Sequence, residues 1–206
     1  MIIKAINPDK KHLTKIIFDE KELLIDNDVV IDSGILVGYD ISEEEITELK
    51  KISDYKRALS RAFWYLDRMD YTEKALFEKL VRAGFSKKAS AKVMARLCEL
   101  GLIDDRRYAE RMAEKCRENN ISKREAMQKM LLKGISYDLA KEMLEECECD
   151  EEEQIKNLLE GKYAYRLTQE KGTEKVYAAL VRKGFSYSAV RSAMKNYIEQ
   201  LEFCEE

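Results

Sequence analysis

The sequence contains little that breaks a helix: one proline and eight glycines in 206 residues. This scarcity argues against a β-sandwich, a Gly-rich nucleotide loop and a long disordered linker. No stretch approaches the ~18 apolar residues that a membrane span requires, and the amino terminus has no signal-peptide hydrophobic run. We therefore expect a mainly α-helical, cytoplasmic protein with no membrane partner.

Side chains that commonly carry catalysis or bind metals are also scarce. The single histidine, His12, has no nearby Ser or Cys nucleophile and no acidic partner at a recognisable spacing. The five cysteines are odd in number and scattered, as in a reducing compartment: Cys98, Cys116, Cys147, Cys149 and Cys204. Cys147-x-Cys149 could be half of a metal site, but no second cysteine pair and no downstream histidine completes it. We expect core or surface thiols, no enzyme activity, no metal and no cofactor.

Residues 1–52 differ from the rest and predict a β-hairpin region followed by a connecting helix. Branched residues at 13–18 and 22–25, separated by a turn at 19–21, predict the two strands. One helical turn is predicted from Asp26. Ser42 and Glu45 predict a capping box at the start of the connecting helix.

The remaining chain repeats with a period of fifty residues. Leu-Val-Arg-Ala-Gly-Phe-Ser at 80–86 aligns with Met-Leu-Leu-Lys-Gly-Ile-Ser at 130–136 and Leu-Val-Arg-Lys-Gly-Phe-Ser at 180–186. In each, the glycine suits the left-handed residue just past a helix end, and the serine can cap the next helix. Apolar stripes flank each turn. A third helix precedes each pair, and in the first repeat its predicted buried stripe is Ala58, Leu59, Ala62, Phe63 and Leu66.

We therefore predict three tandem three-helix repeats, over 53–101, 102–150 and 151–206. Units of this size gain stability by contacting their neighbours, so we expect the repeats to form an elongated, curved row. We expect the chain to be a monomer.

Basic residues concentrate in the first and third repeats. Residues 54–96 include eleven Lys and Arg but only five Asp and Glu. By contrast, residues 142–153 include eight acidic residues and no Lys or Arg. The order of a helix, a glycine turn and a second helix resembles a DNA-binding helix-turn-helix. The chain has a net charge of −3, however, and so lacks the overall positive potential of a stand-alone DNA-binding protein. The candidate filament or nucleic-acid contacts are Arg57, Arg61, Arg68, Lys74, Lys79, Arg82, Lys87, Lys88, Lys92, Arg96, Arg182, Lys183, Arg191 and Lys195.

Several motifs resemble the RecX family of bacterial regulatory proteins. They are Tyr65-Leu66-x-Arg68, Thr72-Glu73, Leu76, Lys79-Leu80, Gly84-Phe85, Leu97, Leu100-Gly101-Leu102-Ile103-Asp104-Asp105, Arg107-Tyr108-Ala109 and Lys133-Gly134-Ile135. Asp104 is predicted to cap the helix that carries Tyr108. Where the family often has Gly-Pro, this chain has Ser122-Lys123, and Ser122 with Glu125 is predicted to cap the following helix.

The resemblance implies a non-catalytic modulator of the RecA recombinase that regulates DNA repair. Such a protein lies in the groove of the RecA filament on single-stranded DNA, inhibits its ATPase, strand-exchange and co-protease activities, and has weak direct DNA binding. Two alternatives stay open beside this hypothesis. One is a helix-turn-helix-like DNA-binding protein that acts through phosphate contacts, and the other is a helical scaffold for an unrelated partner.

Overall fold

The protein is mainly helical, as predicted, with a small antiparallel sheet at its amino terminus. The computed structural model describes residues 1–9, 12–19 and 21–204, and of 201–204 only the backbone. The strands are β1 Ala5–Pro8, β2 Leu13–Ile17 and β3 Glu22–Asp26, and the helices are α1 Asn27–Ser33, α2 Glu43–Leu66, α3 Glu73–Arg82, α4 Lys87–Glu99, α5 Asp105–Glu118, α6 Lys123–Lys133, α7 Tyr137–Glu146, α8 Glu151–Glu160, α9 Ala164–Leu167, α10 Gly172–Arg182 and α11 Tyr187–Cys204. Within these ranges, no helix is long and apolar enough to cross a membrane.

The chain divides into two compact units, Met1–Ile103 and Asp104–Glu206. The division into four segments and the elongated, curved row of repeats stay predictions. Glu20 of the predicted turn, and Lys10 and Lys11 beside His12, lie outside the described residues.

The sheet of the first unit has three strands in the order β1-β2-β3. β2 and β3 are the predicted hairpin, with Thr14 opposite Ile25. β1 pairs with the other edge of β2, a strand that no sequence pattern predicted. The fully buried Ile16 and Ile25 pack in one cluster with Val29 of α1 and Ile46 of α2, so the sheet and the start of α2 share a core.

The start of α2 is fixed by the predicted capping box. The Ser42 hydroxyl accepts a hydrogen bond from the Glu45 N–H at 3.1 Å, and the Glu45 carboxylate accepts one from the Ser42 N–H at 2.8 Å. These two bonds pair N–H groups that have no partner within the helix. They hold the end of α2 that packs against the sheet.

Helices α2, α3 and α4 form the first bundle. Ala58 and Ala62 are fully buried, and their small side chains let α2 lie close to α4. The fully buried Leu76 and Leu80 pack α3 into the core of this bundle. The burial of each side chain stabilises the fold by about 1.5–3 kcal/mol. Phe63, predicted on the same buried stripe, is 41% exposed, because it lies about 100° around the helix from Ala62.

A common turn joins the last two helices of each bundle. The three predicted glycines, Gly84, Gly134 and Gly184, have φ of +96°, +94° and +94°, the left-handed region that was expected. The serine two residues later begins the next helix, and its hydroxyl accepts the N–H of residue 89, 139 or 189. The fifty-residue pattern therefore correctly located the three turns and their caps.

In the second unit, α5, α6 and α7 form one bundle and α8 to α11 form another. Asp104 caps α5 as predicted, accepting a hydrogen bond from the Arg107 N–H at 3.0 Å. The predicted first helix of the third repeat is broken: α8 ends at Glu160, and a short helix, α9, follows after Gly161. Over its described residues, 151–204, this segment therefore contains four helices instead of three, with Ile155, Leu159 and Leu180 fully buried in its core.

Candidate interaction surface

One side of α2, together with the turn that follows it, carries three arginines and the only tryptophan in the sequence. Arg57, Arg61 and Trp64 follow one another on α2 at spacings of four and three residues, which places them on one side of the helix. Arg68, four residues after Trp64, lies in the turn just past the end of α2. All four are exposed, whereas the neighbouring Ala58 stripe is buried against α4. We call Arg57, Arg61, Trp64 and Arg68 the α2 basic stripe.

Two guanidinium groups lie against the indole of Trp64. The Arg68 Cζ is 3.5 Å from the ring centroid and the Arg61 Cζ is 5.3 Å from it. Arg68 also donates a hydrogen bond from Nη1 to the Trp64 carbonyl oxygen at 2.9 Å, which holds its side chain over the ring. Exposed cation–π contacts contribute about 0.5–1 kcal/mol each. The indole is still 45% exposed, so this ordered, positively charged aromatic surface is available to a partner.

A second group of aromatic side chains extends the surface onto α3. The rings of Tyr65 and Tyr71 meet edge to face, with their centroids 6.2 Å apart. The Lys79 Nζ lies 4.7 Å from the Tyr65 centroid and 5.2 Å from that of Tyr71. Thr72 caps α3 by accepting the Ala75 N–H at 3.2 Å, which fixes the helix that carries Lys79. The Trp64 cluster is defined here as Arg61, Trp64, Tyr65, Arg68, Tyr71 and Lys79.

The fourteen predicted contact residues differ in their intramolecular partners. Four form ion pairs, Arg82 with Glu78, Arg96 with Glu99, Lys183 with Glu125 and Lys195 with Glu199. The structure shows no ion pair, in the part of the chain it describes, for Arg57, Arg61, Arg68, Lys74, Lys79, Lys87, Lys88, Lys92, Arg182 and Arg191. A cation that already forms an ion pair within the chain must give up or share that ion pair before it can bind an anionic group of a partner. The unpaired ten are therefore the stronger candidates, and their role in binding stays a prediction.

Helix α4 presents its basic residues in a different setting. Lys92 and Arg96 line a groove of about 410 Å³ against α2, together with Tyr55. Glu48 and Glu99 line the same groove, so its charge is mixed. Among the predicted contact residues of the first unit, the cations without an ion pair therefore lie on the α2 basic stripe, at Lys74 and Lys79 of α3, and at Lys87, Lys88 and Lys92 of α4.

The four cysteines whose side chains the structure describes form no recognisable reactive centre with His12. Among the described residues, no group of three or more His, Cys, Asp or Glu side chains is arranged to hold a metal ion. The Sγ atoms of Cys147 and Cys149 are 3.5 Å apart, and burial, together with the contact to Cys147, raises the pKa of Cys149 to about 11. The Cys149 thiol is therefore protonated at neutral pH. His12 is exposed on the first unit.

Trp64, Tyr65 and Tyr71 were not among the predicted contact residues. The available signal was the spacing of Trp64 from Arg61, three residues earlier on the same face of α2, and from Arg68, four residues later. The contact of Lys79 with both tyrosines depends on how α3 packs against α2. This packing cannot be predicted from the residue pattern of one helix alone. Three of the residues that carried the family resemblance, Tyr65, Arg68 and Lys79, meet in this cluster.

Two family models match the chain: the first three-helix domain of RecX over residues 58–97 and the third three-helix domain of RecX over 150–194. The regulatory protein RecX of Lactococcus lactis subsp. cremoris is 28% identical over 195 residues, which cover 91% of this chain and 72% of the relative. That of Clostridium tetani is 24% identical over 201 residues, covering 95% of this chain and 93% of the relative.

A solved structure, the crystal structure of a regulatory protein RecX, is also similar to this chain. It aligns with a TM-score of 0.67 at 24% identity, over 95% of this chain and 98% of the solved one, and so has the same fold. The model of the first domain spans the entire Trp64 cluster. From the two domain matches, the named relatives and the shared helical fold, the chain belongs to the RecX family of regulatory proteins.

Proposed function

We propose that this chain is a non-catalytic regulator of the RecA recombinase. It binds in the groove of the RecA filament on single-stranded DNA and inhibits the ATPase, strand-exchange and co-protease activities of that filament. The observation that carries the proposal is the exposed Trp64 cluster, within the segment that matches the first domain of a family of regulatory proteins. Through this contact the protein regulates DNA repair.

The Trp64 cluster has the composition of a protein-binding hot spot. Trp, Tyr and Arg are the side chains most often found to dominate the binding energy of protein interfaces. Here they are held in place before binding, because Arg68 is stacked on Trp64 and hydrogen-bonded to the helix backbone. A prearranged surface loses less side-chain entropy on binding. A filament also repeats its own surface, so several contacts by one chain add through effective concentration.

The decisive experiment is an ATPase assay on assembled filaments. Increasing amounts of the chain are added to RecA on single-stranded DNA, and we expect ATP turnover to fall at amounts close to stoichiometric. The Arg61→Glu/Arg68→Glu variant should require much more protein for the same effect. Lys50→Glu/Lys156→Glu changes the charge equally at exposed sites outside the surface and should inhibit like the natural sequence. Unchanged turnover at saturating amounts of the natural chain would contradict the proposal.

The lysines of α4 provide a second mapping experiment. Lys87, Lys88 and Lys92 are exposed, and reversing all three to Glu should weaken filament association if this face also docks. A variant that associates as well as the natural chain would place the interface away from this face of α4.

A second candidate function is that of a helix-turn-helix-like DNA-binding protein. The observation that favours it is the pair α3 and α4, joined through the left-handed Gly84, with three exposed lysines on the second helix. Binding through phosphates predicts an affinity for duplex DNA that falls steeply as salt rises. The measurement is a salt titration with duplex DNA alone, and absent or salt-independent binding would remove this candidate.

A further inference from the structure

We propose that Cys147 and Cys149 form a reversible disulfide, so that the link between α7 and α8 is an oxidation site for a small peroxide. The Sγ atoms of the two residues are 3.5 Å apart. A disulfide bond joins its sulfurs at about 2 Å, so a side-chain movement of about 1.5 Å closes it. This inference goes beyond the proposed function, since it concerns a chemical modification and requires no recombinase.

The link between α7 and α8 holds both thiols between two fixed helix ends. Cys147 follows the last residue of α7, and its N–H donates to the Met143 carbonyl oxygen at 3.1 Å. Asp150 caps α8, and its carboxylate accepts the Glu152 N–H at 2.8 Å. Only Glu148 separates the two cysteines along the chain. Oxidation at this link therefore acts on the junction between the two bundles of the second unit.

Comparison of the repeats shows that the pair of thiols is particular to the second one. The residue equivalent to Cys147 in the first repeat is Leu97, which is fully buried. Glu99 takes the position of Cys149 and forms an ion pair with Arg96 at 3.1 Å. Cys147 likewise packs against the core of its own bundle, although it is only partly buried. Packing explains an apolar side chain at this position, but it does not explain a second thiol 3.5 Å away.

The two thiols are not equivalent, and the difference sets the order of the reaction. Burial, together with the contact to Cys147, raises the pKa of Cys149 to about 11, although Lys123 and Arg117 oppose this shift. Cys149 therefore keeps its proton at neutral pH. Thiolates are the form of cysteine that reacts with peroxides. Cys147 is thus the sulfur that reacts first, and Cys149 is the thiol that closes the disulfide.

The oxidation transfers two electrons from the sulfurs to the peroxide. The Cys147 thiolate attacks one oxygen of hydrogen peroxide, and the O–O bond breaks. The leaving hydroxide takes up the proton that Cys147 lost, which gives water and the sulfenic acid of Cys147. The Cys149 sulfur then bonds to the Cys147 sulfur, and the sulfenic hydroxyl leaves with the Cys149 proton as a second water. An external dithiol reverses the reaction by two thiol–disulfide exchanges and is itself oxidised to a disulfide.

Exposure and proximity favour this product over others. Cys147 and Cys149 are partly exposed, so that a molecule as small as hydrogen peroxide reaches them, whereas Cys116 is buried. The thiol of Cys149 is tethered beside Cys147, and its effective concentration is far higher than that of a thiol on another chain. The sulfenic acid of Cys147 is therefore captured as a disulfide before a second peroxide oxidises it irreversibly.

The test treats the reduced full chain with hydrogen peroxide, with no other protein present, and then alkylates the remaining thiols. Trypsin leaves both cysteines in one peptide, residues 142–156, because no Lys or Arg lies between Lys141 and Lys156. We expect this peptide to carry no alkyl group after oxidation and to have lost the mass of two hydrogen atoms. Dithiothreitol should restore alkylation at both cysteines.

Three single substitutions separate the steps. Cys149→Ser should stop the reaction at the sulfenic acid of Cys147, which dimedone labels. Cys147→Ser should leave Cys149 reduced at the peroxide concentration that oxidises the natural chain, since a protonated thiol reacts slowly. Cys98→Ser is the matched control, because Cys98 is an exposed cysteine outside the link, and this variant should form the disulfide as the natural chain does. Circular dichroism should show that each variant keeps its helical content.

The inference is wrong if peroxide leaves both cysteines of the 142–156 peptide open to alkylation, or if dithiothreitol does not restore them. It is also wrong if Cys147 or Cys149 pairs more often with another cysteine than with its neighbour. Rapid oxidation of Cys149 in Cys147→Ser would overturn the order of attack. Because RecA is absent, these outcomes are separate from that of the ATPase experiment. A chain that forms the disulfide and leaves RecA turnover unchanged retains this site and loses the proposed function.

Discussion

Ser122 and Lys183 are joined by a hydrogen bond, in which the Ser122 hydroxyl donates to the carbonyl oxygen of Lys183 at 2.5 Å. The same hydroxyl accepts the N–H of Glu125 at 3.2 Å and so caps α6. Ser122 is completely buried. The residue after Lys183 is Gly184, where a Cβ atom would come within 2.9 Å of the Ser122 hydroxyl oxygen. One hydroxyl therefore begins α6 and also fastens it to the end of α10.

We predict that Ser122→Ala destabilises the second unit by about 2 kcal/mol. An N-cap serine alone contributes about 1 kcal/mol, and the loss of the donor to a buried carbonyl costs a similar amount. Hydrogen exchange at the amides of α6 measures this change. We expect protection to fall for α6 and for the end of α10 together.

Ser136→Ala is the matched control for this prediction. Ser136 caps α7 in the same way, accepting the Leu139 N–H at 3.3 Å, but it is exposed. Its replacement should cost about 1 kcal/mol and should leave α10 unaffected. Equal losses in the two variants would show that the bond to Lys183 contributes nothing.

The carboxylate beside this bond makes the stability of the second unit depend on pH. A hydrogen bond from Lys129, and the charges of Lys183 and Lys129, hold the pKa of Glu125 below its ordinary value of 4.5. Because the pKa is lower in the folded state, the stabilisation is present above pH 4.5 and is lost as the pH falls through the lowered value. We expect urea unfolding of the natural chain and of Glu125→Gln to differ at pH 7 and to converge below the folded pKa. A constant difference from pH 3 to pH 7 would contradict this assignment.

Features that depend on neighbouring residues along the chain could be predicted from the sequence. The capping box at Ser42, the cap at Asp104 and the left-handed Gly84 follow from residue types within a few positions of a helix end. The N-cap at Ser122 was predicted for the same reason, but its bond to Lys183 was not, because the two residues are 61 positions apart.

The Trp64 cluster shows the same limit at the candidate site. Arg61, Arg68 and Lys79 could be chosen from the sequence because they are basic and lie in repeats rich in positive charge. Which of them stack on an aromatic ring depends on the packing of α3 against α2. The break at Gly161 was not predicted, for a related reason. The fifty-residue alignment assumes that the first helix of the third repeat is as long as that of the first repeat, whereas α8 ends at Glu160.

The turn between α9 and α10 requires glycine at residue 172, because there is no room for a side chain there. A Cβ atom at Gly172 would overlap with the carbonyl oxygen of Arg166 and lie 3.0 Å from that of Leu167. Both atoms belong to the backbone, so a side-chain rotation cannot relieve the contact. We predict that Gly172→Ala lowers the free energy of unfolding of the second unit by about 3 kcal/mol, as for a strongly overpacked site. Denaturant unfolding followed by far-UV circular dichroism measures the loss.

Gly84→Ala provides the comparison for this glycine. No atom lies within 4 Å of a Cβ at residue 84, and its φ of +96° is the only obstacle to a side chain. The left-handed conformation costs roughly 1–2 kcal/mol for an L-residue. We therefore expect a smaller loss for Gly84→Ala, and a larger loss than at Gly172 would contradict the steric explanation.

Trp64 provides a direct test of the interface, because it is the only tryptophan and its emission reports on this surface alone. We predict that binding to RecA filaments shifts the emission of Trp64, since docking displaces water from an indole that is 45% exposed. Trp64→Ala should raise the concentration needed for half-maximal ATPase inhibition at least 10-fold, as for a hot-spot residue worth about 2 kcal/mol. Phe63→Ala is the matched control, because Phe63 is the adjacent residue and is exposed to a similar extent, 41%, but lies on a different side of α2. If Phe63→Ala weakens inhibition as much as Trp64→Ala does, the arginine-stacked indole is not the anchor of this interface.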